Sequence, residues 1–98
     1  MPTPSPPETF VVSNRHVACT VGAESVILHL DEGAYYSLNP VGTRIWELLQ
    51  QPRTIDELVA AVLNEFEVSS ERCLDDVCEL VEALRARTLV VASHPDPR

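Results

Sequence analysis

Two short runs, Ser25-Val26-Ile27-Leu28-His29-Leu30 and Ala34-Tyr35-Tyr36-Ser37-Leu38, are separated by Asp31-Glu32-Gly33 and followed without a break by Asn39-Pro40. β-Branched and aromatic residues suit extended backbone, and Gly33 supplies the positive φ that a tight turn needs. Residues 25–38 therefore read as a hairpin. Val26, Leu28 and Leu30 share one face of its first strand, and His29 points away from them as a surface residue. In its second strand Ala34, Tyr36 and Leu38 share one face, with Tyr35 and Ser37 on the other. A further strand is expected upstream, from about Val11 to Thr20 with an irregularity near Asn14, so the sheet has three antiparallel strands.

Helices follow. Asn39 caps free amides and Pro40 suits the first helical position, and Val41, Ile45, Leu48 and Leu49 form an apolar stripe flanked by Trp46. Pro52 ends that helix. Thr54 with Glu57 three residues on is a capping box, opening a helix with Leu58, Val59, Val62, Leu63 and Phe66 on one broad face. A third helix starts near Ser69 or Ser70, with Leu74, Val77, Val81 and Leu84 as its core stripe. Asp75, Asp76, Glu79 and Glu82 lie on its outer side. Thr88-Leu89-Val90-Val91 closes the domain in extended form. The order is α+β: a three-stranded antiparallel sheet followed by three helices, a winged helix-turn-helix-like arrangement. Residues 10–92 make one domain, with a proline-rich lead-in at 1–9 and a short polar tail at 93–98.

Folds of this kind often bind DNA, but the charge argues otherwise. The chain has 15 acidic residues against 7 arginines and no lysine, a formal net charge of -8. Phosphate binding needs clustered cations, and these arginines are scattered, so neither nucleic acid nor an anionic membrane is expected as a partner. No run approaches the length of a membrane span, and no basic start with an apolar signal core is present, so a cytoplasmic location is expected. The odd cysteine count, Cys19, Cys73 and Cys78 without CxxC spacing, fits a reducing compartment.

No set of residues reaches catalytic quality. His16, His29 and His94 sit in no local metal spacing. Cys73 and Cys78 fall about 140° apart around a helix and do not face one ligand together. Gly22, Gly33 and Gly42 form no phosphate-binding loop. Catalytic residues, cofactors and metals are accordingly not expected. Polypeptide capture and a scaffold or nonspecific interaction role fit these residues equally well. If the last hairpin strand lies at a sheet edge, an extended peptide can add to it as a further strand. The third helix would form the other wall, since Cys73, Asp76, Leu80 and Ala83 lie along one flank at steps of three or four.

The sequence resembles the PqqD-like family, the precursor-peptide recognition domains of ribosomal peptide modification. The resemblance spans roughly residues 10–92 and runs through Val26-Ile27-Leu28-His29-Leu30-Asp31, Gly33-Ala34-Tyr35-Tyr36-Ser37-Leu38-Asn39, Gly42-Thr43-Arg44-Ile45-Trp46-Glu47-Leu48-Leu49, Thr54-Ile55-Asp56-Glu57-Leu58 and Asp76-Val77 with Leu80, Leu84 and Leu89-Val90. It implies a noncatalytic protein that binds a precursor's leader peptide as an added strand. The contacts it implies are Tyr35, Tyr36, Ser37 and Leu38 on the strand, opposite Arg72, Cys73, Asp76, Leu80 and Ala83 on the helix. The Gly-x-Tyr-Tyr-x-Leu-Asn run and the Ile45-Trp46 pair look most like the stand-alone leader-binding proteins of lasso-peptide pathways. Those imply two further partners, a transglutaminase-like leader peptidase and an asparagine-synthetase-like macrolactam cyclase. The alternatives are an accessory protein presenting a leader to a radical SAM enzyme, in quinone-cofactor or other peptide maturation, and a structural subunit of a complex. One departure stands out: Thr88 occupies a position where the family commonly has glycine.

Overall fold

The computed structural model describes residues 8–93, so the lead-in before residue 8 and the tail after residue 93 lie outside the described residues. The chain runs β1 (Thr9–Val12), β2 (His16–Val21), β3 (Glu24–His29), β4 (Tyr35–Leu38), α1 (Pro40–Leu48), β5 (Arg53–Thr54), α2 (Ile55–Glu65), α3 (Ser70–Ala86) and β6 (Val90–Ser93). The α+β class holds, with three helices and a three-stranded antiparallel sheet ordered β2-β3-β4.

The expected single first strand is two strands in two sheets. β1 leaves the hairpin sheet altogether and lies between β5 and β6 in a second small sheet ordered β5-β1-β6. Asn14 marks the change of direction. Just before it, Val12 donates its N–H to Leu49 O at 2.8 Å and Ser13 donates to Leu89 O at 2.8 Å, which ties the strand end to α1 and to the end of α3. A two-residue loop, Gly22-Ala23, joins β2 to β3, and Gly22 takes the positive φ of 64° that this loop needs.

The core gathers Phe10, Ile27, Leu38, Ile45, Trp46, Leu49, Leu58, Val62, Val77, Val81, Leu84 and Leu89, all buried. The β3 face that seals it is Ser25, Ile27 and His29, not Val26, Leu28 and Leu30. His29 is therefore not the surface residue expected. It is buried, and the backbone N–H groups of Asp31 and Glu32 both donate to its Nδ1 at 3.2 Å. That leaves the proton on Nε2, which donates to Arg87 O at 2.7 Å. One imidazole thus joins the β3–β4 turn to the end of α3. Ser25 Oγ and Thr43 Oγ1, 2.8 Å apart and buried, similarly join β3 to α1.

The helix starts fall where the caps put them. Asn39 accepts from Gly42 N–H at 2.8 Å, and Thr54 and Glu57 form the reciprocal capping box. Ser69 accepts from Arg72 N–H at the start of α3. The α3 core stripe is rotated from the expected one: Cys73, Val77, Val81 and Leu84 are buried, and Leu74 is 45% exposed. At its other end α3 closes in a Schellman arrangement. Leu89 N–H donates to Leu84 O at 3.0 Å and Thr88 N–H donates to Arg85 O at 2.9 Å. Thr88 sits at the left-handed position of that motif, with φ of 56°.

Candidate functional site: an open strand edge above a groove

β4 has one neighbour, β3, so its other side is a free edge of the sheet among the described residues. His29 N–H donates to Ala34 O at 2.9 Å, and Ile27 and Ser25 stand opposite Tyr36 and Leu38. Antiparallel hydrogen bonding alternates along a strand. Tyr36 and Leu38 therefore spend their backbone groups on β3, whereas the N–H and C=O of Tyr35 and Ser37 point to the open edge. Such a row is a template for an added strand.

Below that edge lies a groove of about 400 Å³. Ser37, Leu38 and Asn39 form one wall and Cys73, Asp76, Val77 and Leu80 of α3 the other. Val41, Gly42, Ile45, Val62 and Val68 complete its lining. Gly42 matters for its missing side chain: a Cβ there would stand 3.3 Å from both Asn39 Oδ1 and Leu38 Cβ, where most neighbours would have to give way. The lining is largely aliphatic, with Asp76 its one ionisable carboxylate.

Five of the residues that sequence assigned to the site meet in this groove: Ser37, Leu38, Cys73, Asp76 and Leu80. Tyr35 is on the same strand, but its ring is 71% exposed on the far face of the sheet. Tyr36 turns inward and packs against the core. Its hydroxyl donates to Glu32 Oε1 at 2.9 Å and accepts from Arg87 at 3.2 Å, and the Arg87 guanidinium lies 5.3 Å from its ring centre. The Glu32 hydrogen bond and then burial push the Tyr36 phenol above its ordinary range. Arg72 stands at the rim, donating to Asp76 at 3.4 Å. Ala83 is exposed one turn beyond Leu80, outside the groove lining. Burial, then the neighbouring Asp76 charge, push the Cys73 thiol up, which keeps it protonated.

Sequence reasoning missed the floor. Val41, Gly42 and Ile45 come from α1, Val62 from the second half of α2 and Val68 from the α2–α3 connection; in sequence Val41, Ile45 and Val62 read as apolar helix faces, and Gly42 and Val68 have no such reading. The available signal was Gly42 itself, a glycine one turn into an otherwise good helix. Among the described residues, no group of three His, Cys, Asp or Glu side chains is placed to hold a metal ion, and no helix is long and apolar enough to cross a membrane.

Residues 24–90 match the family described as coenzyme PQQ synthesis protein D (PqqD). The chain belongs to the PqqD family. Two solved structures share its architecture. TbiB1, in complex with the TbiA(beta) leader peptide, is 31% identical, with 88% of this chain and 99% of that chain covered and a TM-score of 0.75. A lasso peptide synthetase B1, complexed with the leader peptide, is 20% identical over 84% of this chain and 96% of that one, with a TM-score of 0.72, a likeness of fold. No curated protein matches the chain. In this PqqD-family chain the matched region takes in β3, β4 and all three helices, and so the whole groove.

Proposed function

We propose that this protein binds the leader of a ribosomally made precursor peptide as a fourth strand on β4 and delivers it to a separate leader peptidase in lasso-peptide maturation. The observation that carries the reading is the pairing of an open β4 edge with an aliphatic groove against α3. The leader's backbone exchanges hydrogen bonds with Tyr35 and Ser37. Its alternate side chains enter the groove over Leu38, Cys73 and Leu80, and Asp76 meets a polar group. The other side chains stand on the far face beside Tyr35. The chemistry belongs to the partners: a transglutaminase-like peptidase that removes the leader, then an asparagine-synthetase-like cyclase that closes the macrolactam. Binding raises the local concentration of the cleavage junction and restricts its poses.

The likeness to TbiB1 held with a leader peptide supports this choice over delivery to a radical enzyme in quinone-cofactor maturation, the pathway for which the family is described. The test is a fluorescence-polarisation titration against the leader encoded beside this gene, with a scrambled leader as control. Saturable, sequence-selective binding is the expected result. No binding of the cognate leader to the folded protein overturns the reading.

A further inference from the structure

A second cavity adjoins the groove. It has a volume of about 380 Å³ and lies across the end of β4, where Val21, Glu24 and Val26 meet Ser37, Leu38 and Asn39. The last three residues also line the first groove, so the two spaces flank the same end of β4. The strand register explains why the second exists. β4 ends at Leu38, opposite Ser25, and the chain turns away into α1. The β2–β3 hairpin runs on past that point to the Val21–Glu24 pair, so its tip overhangs the end of β4. A peptide strand laid along β4 and continuing beyond Leu38 has this overhang as its next surface.

The chemistry of the overhang differs from that of the groove. Val21 is 68% exposed and Val26 37% exposed, so both present apolar surface without a cover. Glu24 stands on the same face of the hairpin, since Val21 and Glu24 are directly paired and Val26 is two residues along. It is the cavity's one ionisable side chain. No cation among the described residues reaches its carboxylate, whereas Arg72 accompanies Asp76 in the groove.

Resting on the leader-binding reading, we infer that this overhang is a second subsite on the same peptide, and that it takes an arginine or lysine. The aliphatic stem of such a side chain lies over Val21 and Val26, and its charged end reaches Glu24. The subsite acts on specificity: it favours leaders with a cation just beyond the strand-forming segment and opposes those with an acid there.

The test uses the full chain, labelled with 15N, and a synthetic leader encoded beside the gene, together with versions shortened from either end. The full peptide is expected to shift amides in two regions, the groove at Ser37 and Asp76 and the tip from Val21 to Val26. One of the two truncations loses the tip shifts alone and weakens binding roughly three- to tenfold. Glu24→Lys weakens the full peptide about fivefold, and Glu24→Gln less, while changing its basic residue to Glu restores binding to Glu24→Lys. Far-UV circular dichroism checks that both variants keep the hairpin. A peptide that moves the groove amides, leaves the tip amides still and binds Glu24→Lys as tightly as the parent overturns the subsite and leaves leader binding standing. A peptide that moves neither region overturns both.

Discussion

Thr88 takes a conformation that suits glycine. Its φ of 56° is strained for a β-branched residue, and the Schellman bonds of Thr88 and Leu89 hold it there. Removing the side chain relieves that strain, partly offset by the greater freedom glycine has when unfolded. Thr88→Gly is expected to stabilise the protein by about 0.5–1 kcal/mol, read from the midpoint of urea unfolding at unchanged slope. His29 is the opposite case, a polar group whose two nitrogens are both in use in a buried site. His29→Ala leaves Arg87 O and two turn amides without that partner and opens a void. It is expected to destabilise by roughly 2–4 kcal/mol in the same measurement. The departure at Thr88 was visible as a residue type in the sequence. The His29 role was not, because it depends on which β3 face is inward and on a partner 58 residues away.

At the scale of elements, what could be read from the sequence divides along local and non-local lines. Helix starts were legible because Asn39, Thr54 and Ser69 act on amides two or three residues on. The β3–β4 hairpin was legible because Gly33 and the alternation around it are local too. The β1–β2 division was not, since Thr9–Val12 finds its partners at Arg53–Thr54 and Val90–Ser93. The inward face of β3 was misread for a related reason. Val26, Leu28 and Leu30 are the more apolar set, yet Ile27 with two polar neighbours seals the core and the apolar set faces out. Leu74 and Cys73 exchanged places on α3 in the same way. For the candidate groove, the strand and one helix flank were legible from spacing, whereas the floor needed α1, α2 and the α2–α3 connection brought together. The edge geometry yields its own prediction. Ser37 N–H points away from β3, so proline there removes an edge donor without breaking a β3 bond, a position edge strands tolerate. Ser37→Pro is expected to weaken leader binding at least about tenfold, while its circular dichroism spectrum stays that of the parent. Unchanged affinity would mean that the peptide does not pair with β4.

At the scale of the whole molecule, the apolar set on β3 belongs to a larger surface. Val17, Leu28 and Tyr35 stand in one cross-strand row, and Cys19, Val26 and Ser37 in the next, all on the face away from the core. Val17, Tyr35 and Val26 are 56%, 71% and 37% exposed. A fourth strand on β4 would extend this face with every second side chain of the leader, because successive residues alternate across a sheet. On the proposed reading, the groove and the Val17-Leu28-Tyr35 row are then on opposite sides of one sheet: the first holds the peptide, and the second displays it. Delivery to a peptidase needs such a division, since a protein that buried the leader on both sides would protect it from cleavage. Val17→Asp and Val17→Lys change a side chain outside both the groove and the overhang. Both are expected to leave leader affinity within about twofold of the parent and to slow leader removal by the peptidase roughly tenfold or more, because charges placed at the centre of an interface oppose docking. The peptidase assay with saturating leader separates the two effects. Equal cleavage rates for parent and variants would place the peptidase on another surface. A loss of leader affinity matching the loss of cleavage would mean that the two faces act as one site.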